Sequence, residues 1–206
     1  MKKSGFTLAE VLITLGIIGV VTAITMPVLI NGHRDKAMVT HLKKSYSTIS
    51  NAFYSATEEY GSPLGWGLGD RANTVGRDKL ADIFSNYLDV VERDENANLR
   101  LKDGTIITFY VESPNCSYRP FKSCFQIYVT LPEAKENNSF PFAVTETKLI
   151  PYGDDDMMND PYWSSFEAYK AGRCSVCFTG WVLKYENLDY LRCPDKLSWT
   201  GKHSCK

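Results

Sequence analysis

Residues 6–30 form a run of 25 side chains with no Lys, no Arg and a single ionisable group, Glu10. As a helix rising 1.5 Å per residue the run is about 38 Å long, enough to cross a hydrocarbon core of roughly 30 Å. A helix apolar on every side needs lipid or other helices around it, so this segment constrains the chain more than any other. Its one carboxylate is the anomaly. A charge at mid-helix costs about 2.5 to 3.5 kcal/mol on insertion scales, and less near an end, where Glu10 lies. A group kept at that cost is expected to have a partner.

The partner the sequence offers is a cation created by processing. Lys2, Lys3, Ser4 and Gly5 make a short basic leader ahead of the run. A cut between Gly5 and Phe6 frees an α-amino group on Phe6, with Glu10 about one helical turn further along. The carboxylate of one subunit then meets the terminal amine of a neighbour as helices stack side by side. Losing one partner of such a buried pair costs about 3 to 5 kcal/mol, so assembly and charge neutralisation become one event.

The run Gly5-Phe6-Thr7-Leu8-Ala9-Glu10-Val11-Leu12-Ile13, followed by Gly16, Gly19 and Pro27, resembles the class III signal of type IV pilins and type II secretion pseudopilins. The match is specific but confined to the first 30 or so residues. The resemblance implies a leader of residues 1–5 removed by a membrane prepilin peptidase, N-methylation of Phe6, and Glu10 as the assembly carboxylate. It implies as partners that peptidase, other copies or homologous subunits in a helical filament, and the membrane platform of an assembly machine. The subunit would begin as a single-pass protein of the cytoplasmic (inner) membrane with its head in the periplasm or outside, then enter a pilus or pseudopilus. Two plainer readings compete: a conventional secretory signal cut near Val21, Thr22 and Ala23, and an uncleaved anchor. Glu10 speaks against the first, because a signal h-region is normally uncharged.

At 206 residues the chain suits one globular head behind this segment. The 23 basic and 24 acidic side chains nearly cancel, so no global field recommends nucleic acid as a partner. Cys116, Cys124, Cys174, Cys177, Cys193 and Cys205 lie in the C-terminal half, and an even count behind an export segment reads as disulfides formed in an oxidising compartment. Cys116 and Cys124 flank a short polar loop and are the preferred pair. If residues 178–185 and 188–192 form a hairpin, Cys177 faces Cys193, and Cys174 with Cys205 pins the tail. The Cys174-Ser175-Val176-Cys177 spacing is also that of a redox pair or half a zinc site, although neither the helix start nor the four ligands those sites require is apparent. Orientation is not set by charge: Lys2 and Lys3 precede the apolar run, but Arg34, Lys36, Lys43 and Lys44 follow it. The cysteines and the family resemblance place the head outside.

Along the chain, Pro27 removes a backbone donor and is expected to kink or loosen the helix, and Asn31 and Gly32 mark where it meets water. Residues 31–60 continue it, because Val39, Leu42, Tyr46, Ile49, Phe53, Ala56 and Tyr60 recur at steps of three and four and draw one apolar stripe. The glycine-rich stretch at residues 61–69 ends it and lacks the Lys-Ser/Thr ending of a phosphate loop. Residues 79–91 read as a second short helix. Residues 99–102 and 105–111, joined at Asp103-Gly104, read as a hairpin, and residues 125–131, 140–149 and 178–185 as further strands. The sum is an α+β fold: a long N-terminal helix packed on an antiparallel sheet, with residues 61–206 forming a disulfide-bonded, pilin-like head.

No catalytic constellation appears, so the chain reads as a structural subunit and not an enzyme. His33, His41 and His203 are scattered, and the first two are expected on the polar side of the long helix. Asp154, Asp155, Asp156, Asn159 and Asp160 form the one oxygen-rich cluster, a candidate for calcium without EF-hand spacing; a solvated acidic loop is the plainer reading. Tyr162, Trp163 and Trp199 belong either to a binding surface or to the core. The alternative to a polymerising subunit is a membrane-anchored extracytoplasmic binding module.

Overall fold

The computed structural model describes residues 7–119, 121–134, 139–153, 166–170 and 178–206. One helix, α1 (Leu8–Tyr60), runs through 53 residues without a break. Its sequence has two characters, and the burial follows them. Every side chain described between residues 8 and 33 is exposed, whereas Leu42, Ile49, Phe53 and Ala56 are completely buried. The stripe of three-and-four spacing therefore faces the head as expected, up to Ala56; Tyr60, its last member, is exposed. Gly61 stops the helix at φ +74°, a conformation glycine adopts without a Cβ penalty.

The head is built on six strands: β1 (Val90–Arg93), β2 (Leu99–Leu101), β3 (Ile106–Val111), β4 (Phe125–Thr130), β5 (Ser139–Val144) and β6 (Leu149–Pro151). They pair in sequence order, every neighbour antiparallel, so the sheet is a meander made from local connections. Alternate residues point to the helix side: Ile107, Phe109 and Val111 from β3, Phe125, Ile127 and Val129 from β4, and Phe140, Phe142 and Val144 from β5 are all buried. Tyr46 of α1 stacks on Phe142 with ring centroids 5.6 Å apart, which places the helix stripe against this face.

Helix α2 (Thr74–Ser85) begins five residues earlier than the apolar spacing suggested, because Asn73 caps it by accepting from Gly76 N at 2.9 Å. A Cβ at Gly76 would stand 1.8 Å from the carbonyl oxygen of Leu68, so the helix reaches the glycine-rich connection only with glycine there. Trp66 and Leu68 from that connection are buried beside Phe84 of α2. The expected helix end is also corrected: residues 90 and 91 belong to β1.

The largest departure lies near the C-terminus. Residues 178–185, expected as a strand, contain helix α4 (Thr179–Tyr185), which follows helix α3 (Phe166–Lys170); a 3₁₀ turn at Asp189–Leu191 replaces the second arm of the expected hairpin. Trp181 and Val182 are adjacent in sequence and both fully buried, which an amphipathic strand cannot achieve. They sit in an aromatic cluster where Phe178 stacks on Tyr190 (4.7 Å) and Trp199 (5.8 Å). Trp199 is thus a packing residue. The loss of the hairpin re-pairs a disulfide: Cys193 bonds Cys205, not Cys177, while Cys116 bonds Cys124 as expected. The tail is held where Asp189 accepts from Cys205 N at 2.8 Å and Asn187 donates to His203 O at 3.0 Å. Cys174 and Cys177 lie outside the described residues.

Candidate assembly site

The site begins with Thr7, the N-cap of α1. Its hydroxyl accepts from Glu10 N at 3.3 Å, and Glu10 Oε2 accepts from both Thr7 N and Thr7 Oγ1 at 2.8 Å. This is a capping box: two orphan backbone donors at the helix start are satisfied reciprocally. The pattern Thr7-x-x-Glu10 was legible in the sequence and points to this role, alongside the role in assembly. It fixes the carboxylate at the helix entrance, against Thr7, and all of its contacts fall on Oε2. Oε1 takes no hydrogen bond from any described residue, and no described cation pairs with Glu10. Gly5 and Phe6 lie outside the described residues.

Beyond the cap the helix surface is nearly free of polar demand. The hydroxyl of Thr14 donates to the carbonyls of Glu10 and Val11 at 2.9 Å, and that of Thr25 to Val21 O at 2.9 Å. These groups are satisfied inside their own helix, the condition for surviving where no water is available. The stretch Leu8–Met26 is long and apolar enough to cross a membrane, and none of it is buried within the protein. Gly16 and Gly19 have nothing within 4 Å of where a Cβ would be, so nothing inside the subunit requires glycine at either position.

The first 26 residues match the family model described as a prokaryotic N-terminal methylation motif. Over this segment the chain is similar to type IV pilin-like precursors. Its match lies on the segment just described, and the α+β layout of an apolar N-terminal helix and six-stranded antiparallel sheet agrees with it. No curated protein and no solved structure matches the chain. The motif points to a family of structural subunits, implies processing by a prepilin peptidase and assembly into pilin-like filaments, and is consistent with a single-pass inner-membrane anchor.

The remaining candidates fall elsewhere. Asp154, Asp155, Asp156, Asn159 and Asp160, with Tyr162 and Trp163, lie outside the described residues; among the described residues no cluster of His, Cys, Asp and Glu is disposed to hold a metal. His33 is exposed, and His203 stacks on Tyr185 with centroids 3.9 Å apart. His41 corrects the expectation of a solvated polar face: its side chain is only 12% exposed, clamped between α1 and the head. Nδ1 lies 3.1 Å from Glu133, and Nε2 lies 3.0 Å from Thr105 Oγ1 and 3.3 Å from Asp103.

Asp103 also accepts from Lys44 Nζ at 2.8 Å. Burial pushes its carboxyl upward, but the Lys44 ammonium and the Thr105 donors outweigh burial and hold it well below the usual carboxylate range. Lys43 pairs with Glu186, and Arg192 pairs with Asp35. Lys43 and Lys44, two of the cations that made the charge bias ambiguous, are therefore engaged by the head.

Proposed function

We propose that this chain is the precursor of a structural subunit of a type IV pilus or type II secretion pseudopilus, cut between Gly5 and Phe6 and polymerised through the N-terminal half of α1. The observation that carries the reading is a helix half with no burial inside its own subunit, headed by a positioned carboxylate, on the residues that match the methylation motif. In the membrane, lipid covers that half; in a filament, neighbouring helices replace the lipid. Glu10 Oε1 is the free acceptor for the Phe6 amine of an adjacent subunit, and the pair offsets the desolvation of both charges. Pro27 and Gly32 allow the helix to loosen as the subunit leaves the bilayer. The head remains outside, braced by disulfides.

Glu10→Leu tests the assembly role. The variant is expected to insert in the membrane at the wild-type level and to be absent from sheared filament or pseudopilus fractions. Wild-type incorporation would remove the role proposed for Glu10, whereas absence of the wild-type chain itself from those fractions would leave an anchored binding module that does not polymerise.

A further inference from the structure

A cleft of about 1090 Å³ opens on the β6 side of the head, between the loop closed by the Cys116–Cys124 disulfide and the turn joining β5 to β6. Among the described residues three cations line it, Arg119 and Lys122 from the loop and Lys148 from the turn, against one carboxylate, Glu146. All four are exposed, and none is in an ion pair with a described residue. Elsewhere the head pairs its charges readily: Arg93 engages Asp78 and Asp82, and Arg100 engages Glu92. Three cations without an ion-pair partner among the described residues, set against the single described carboxylate Glu146, form a local positive field that the balanced net charge of the chain conceals.

Both walls are fixed. The loop is closed by its disulfide and by the bridge between Tyr118 and Ser123, tightly enough to hold Cys116 and Lys122 at φ +50° and +56°. Across the cleft, Thr145 Oγ1 accepts from Lys148 N at 2.9 Å and Thr147 N at 3.3 Å, locking the turn. Between the cations the lining is short and polar, with Asn115, Ser117 and Thr147 among its members. Phe121, the one aromatic ring of the lining among the described residues, already packs on Tyr152 at 5.0 Å, which disfavours its use as the stacking platform of single-stranded nucleic acid binding.

We propose that this cleft binds a segment of acidic polysaccharide, with Arg119, Lys122 and Lys148 pairing its carboxylates and the short polar side chains meeting its hydroxyls. The cleft, at about 1090 Å³, is larger than one anion needs and stands just above the roughly 300–1,000 Å³ of compact organic-ligand sites, as a site for an extended chain would. This activity belongs to the head alone and does not depend on polymerisation, so it stands or falls separately from the role of Glu10.

The test is binding of an oligogalacturonate to the full chain in detergent, beside a neutral dextran oligosaccharide and a single-stranded oligodeoxynucleotide of equal charge. Saturable oligogalacturonate binding is expected, weakening with salt and exceeding both comparators. Arg119→Ala with Lys148→Ala should weaken it by about tenfold or more, the scale of two lost exposed ion pairs. Glu146→Gln should strengthen it several-fold, a gain that misfolding cannot imitate. Absence of binding, unchanged affinity in the double variant, or tighter binding of the oligonucleotide would each overturn the proposal.

Discussion

The two halves of α1 share one backbone and meet opposite environments. The described side chains of residues 8–33 bury nothing in the subunit, while Leu42, Ile49, Phe53 and Ala56 are sealed from solvent by the head. The second half is amphipathic because its partner is on one side and belongs to the same chain. The first is apolar on all sides, as the proposed function requires of a segment whose partners, first lipid and then other copies, surround it. One helix thereby joins a folding problem to an assembly problem, and a substitution should affect one process or the other according to where it falls.

That contrast can be broken most forcefully at Phe53. Phe53→Ala empties a fully buried site facing the sheet and should cost about 3 to 5 kcal/mol of head stability, read by chemical denaturation. Leu15→Ala, at a side chain 61% exposed, should change head stability by less than about 0.5 kcal/mol and instead lower filament yield. Equal destabilisation by the two would erase the division of labour along the helix.

A smaller effect is expected where the helix meets the head through charge. Because the folded state depresses the Asp103 carboxyl, its contribution is present above the unfolded value, about 3.9, and is lost as pH falls toward the folded one. Asp103→Asn should cost about 1 kcal/mol or less at neutral pH, and the gap from wild type should close below about pH 4. Thermal melts across that range measure it.

Glu112 should give the smallest effect, of opposite sign. Burial pushes its carboxyl up, and the bonds from Arg71 and Gln126 offset this only in part. A raised value means stability present below the unfolded value of about 4.3 and lost as pH rises. Glu112→Gln is expected to raise the melting temperature slightly at neutral pH and to lose that advantage in acid.

The parts of this molecule legible from sequence are those set by local pattern. The stripe from Val39 to Ala56, the Asp103-Gly104 turn and the Cys116–Cys124 loop each depend on residues close together, and each appears in the structure. The failures are long-range. Thr179–Tyr185 has strand-like composition but folds as a helix, because Phe166 and Trp199 pack on Trp181 and Phe178, just before the helix, stacks on Tyr190. His41 sits off the apolar stripe, but Glu133, 92 residues away, encloses it. At the assembly site the carboxylate and its threonine cap stand three residues apart in the sequence, whereas the cationic cleft needed the loop and turn to be brought together by the sheet.

The central claim is that a processed amine is the counter-charge for Glu10. Intact-mass and N-terminal peptide spectrometry of the membrane-extracted protein, from cells with an active processing enzyme, tests it most directly. The account predicts a chain that starts at an N-methylated Phe6; a chain still carrying residues 1–5, or one starting near Ile24, would contradict it.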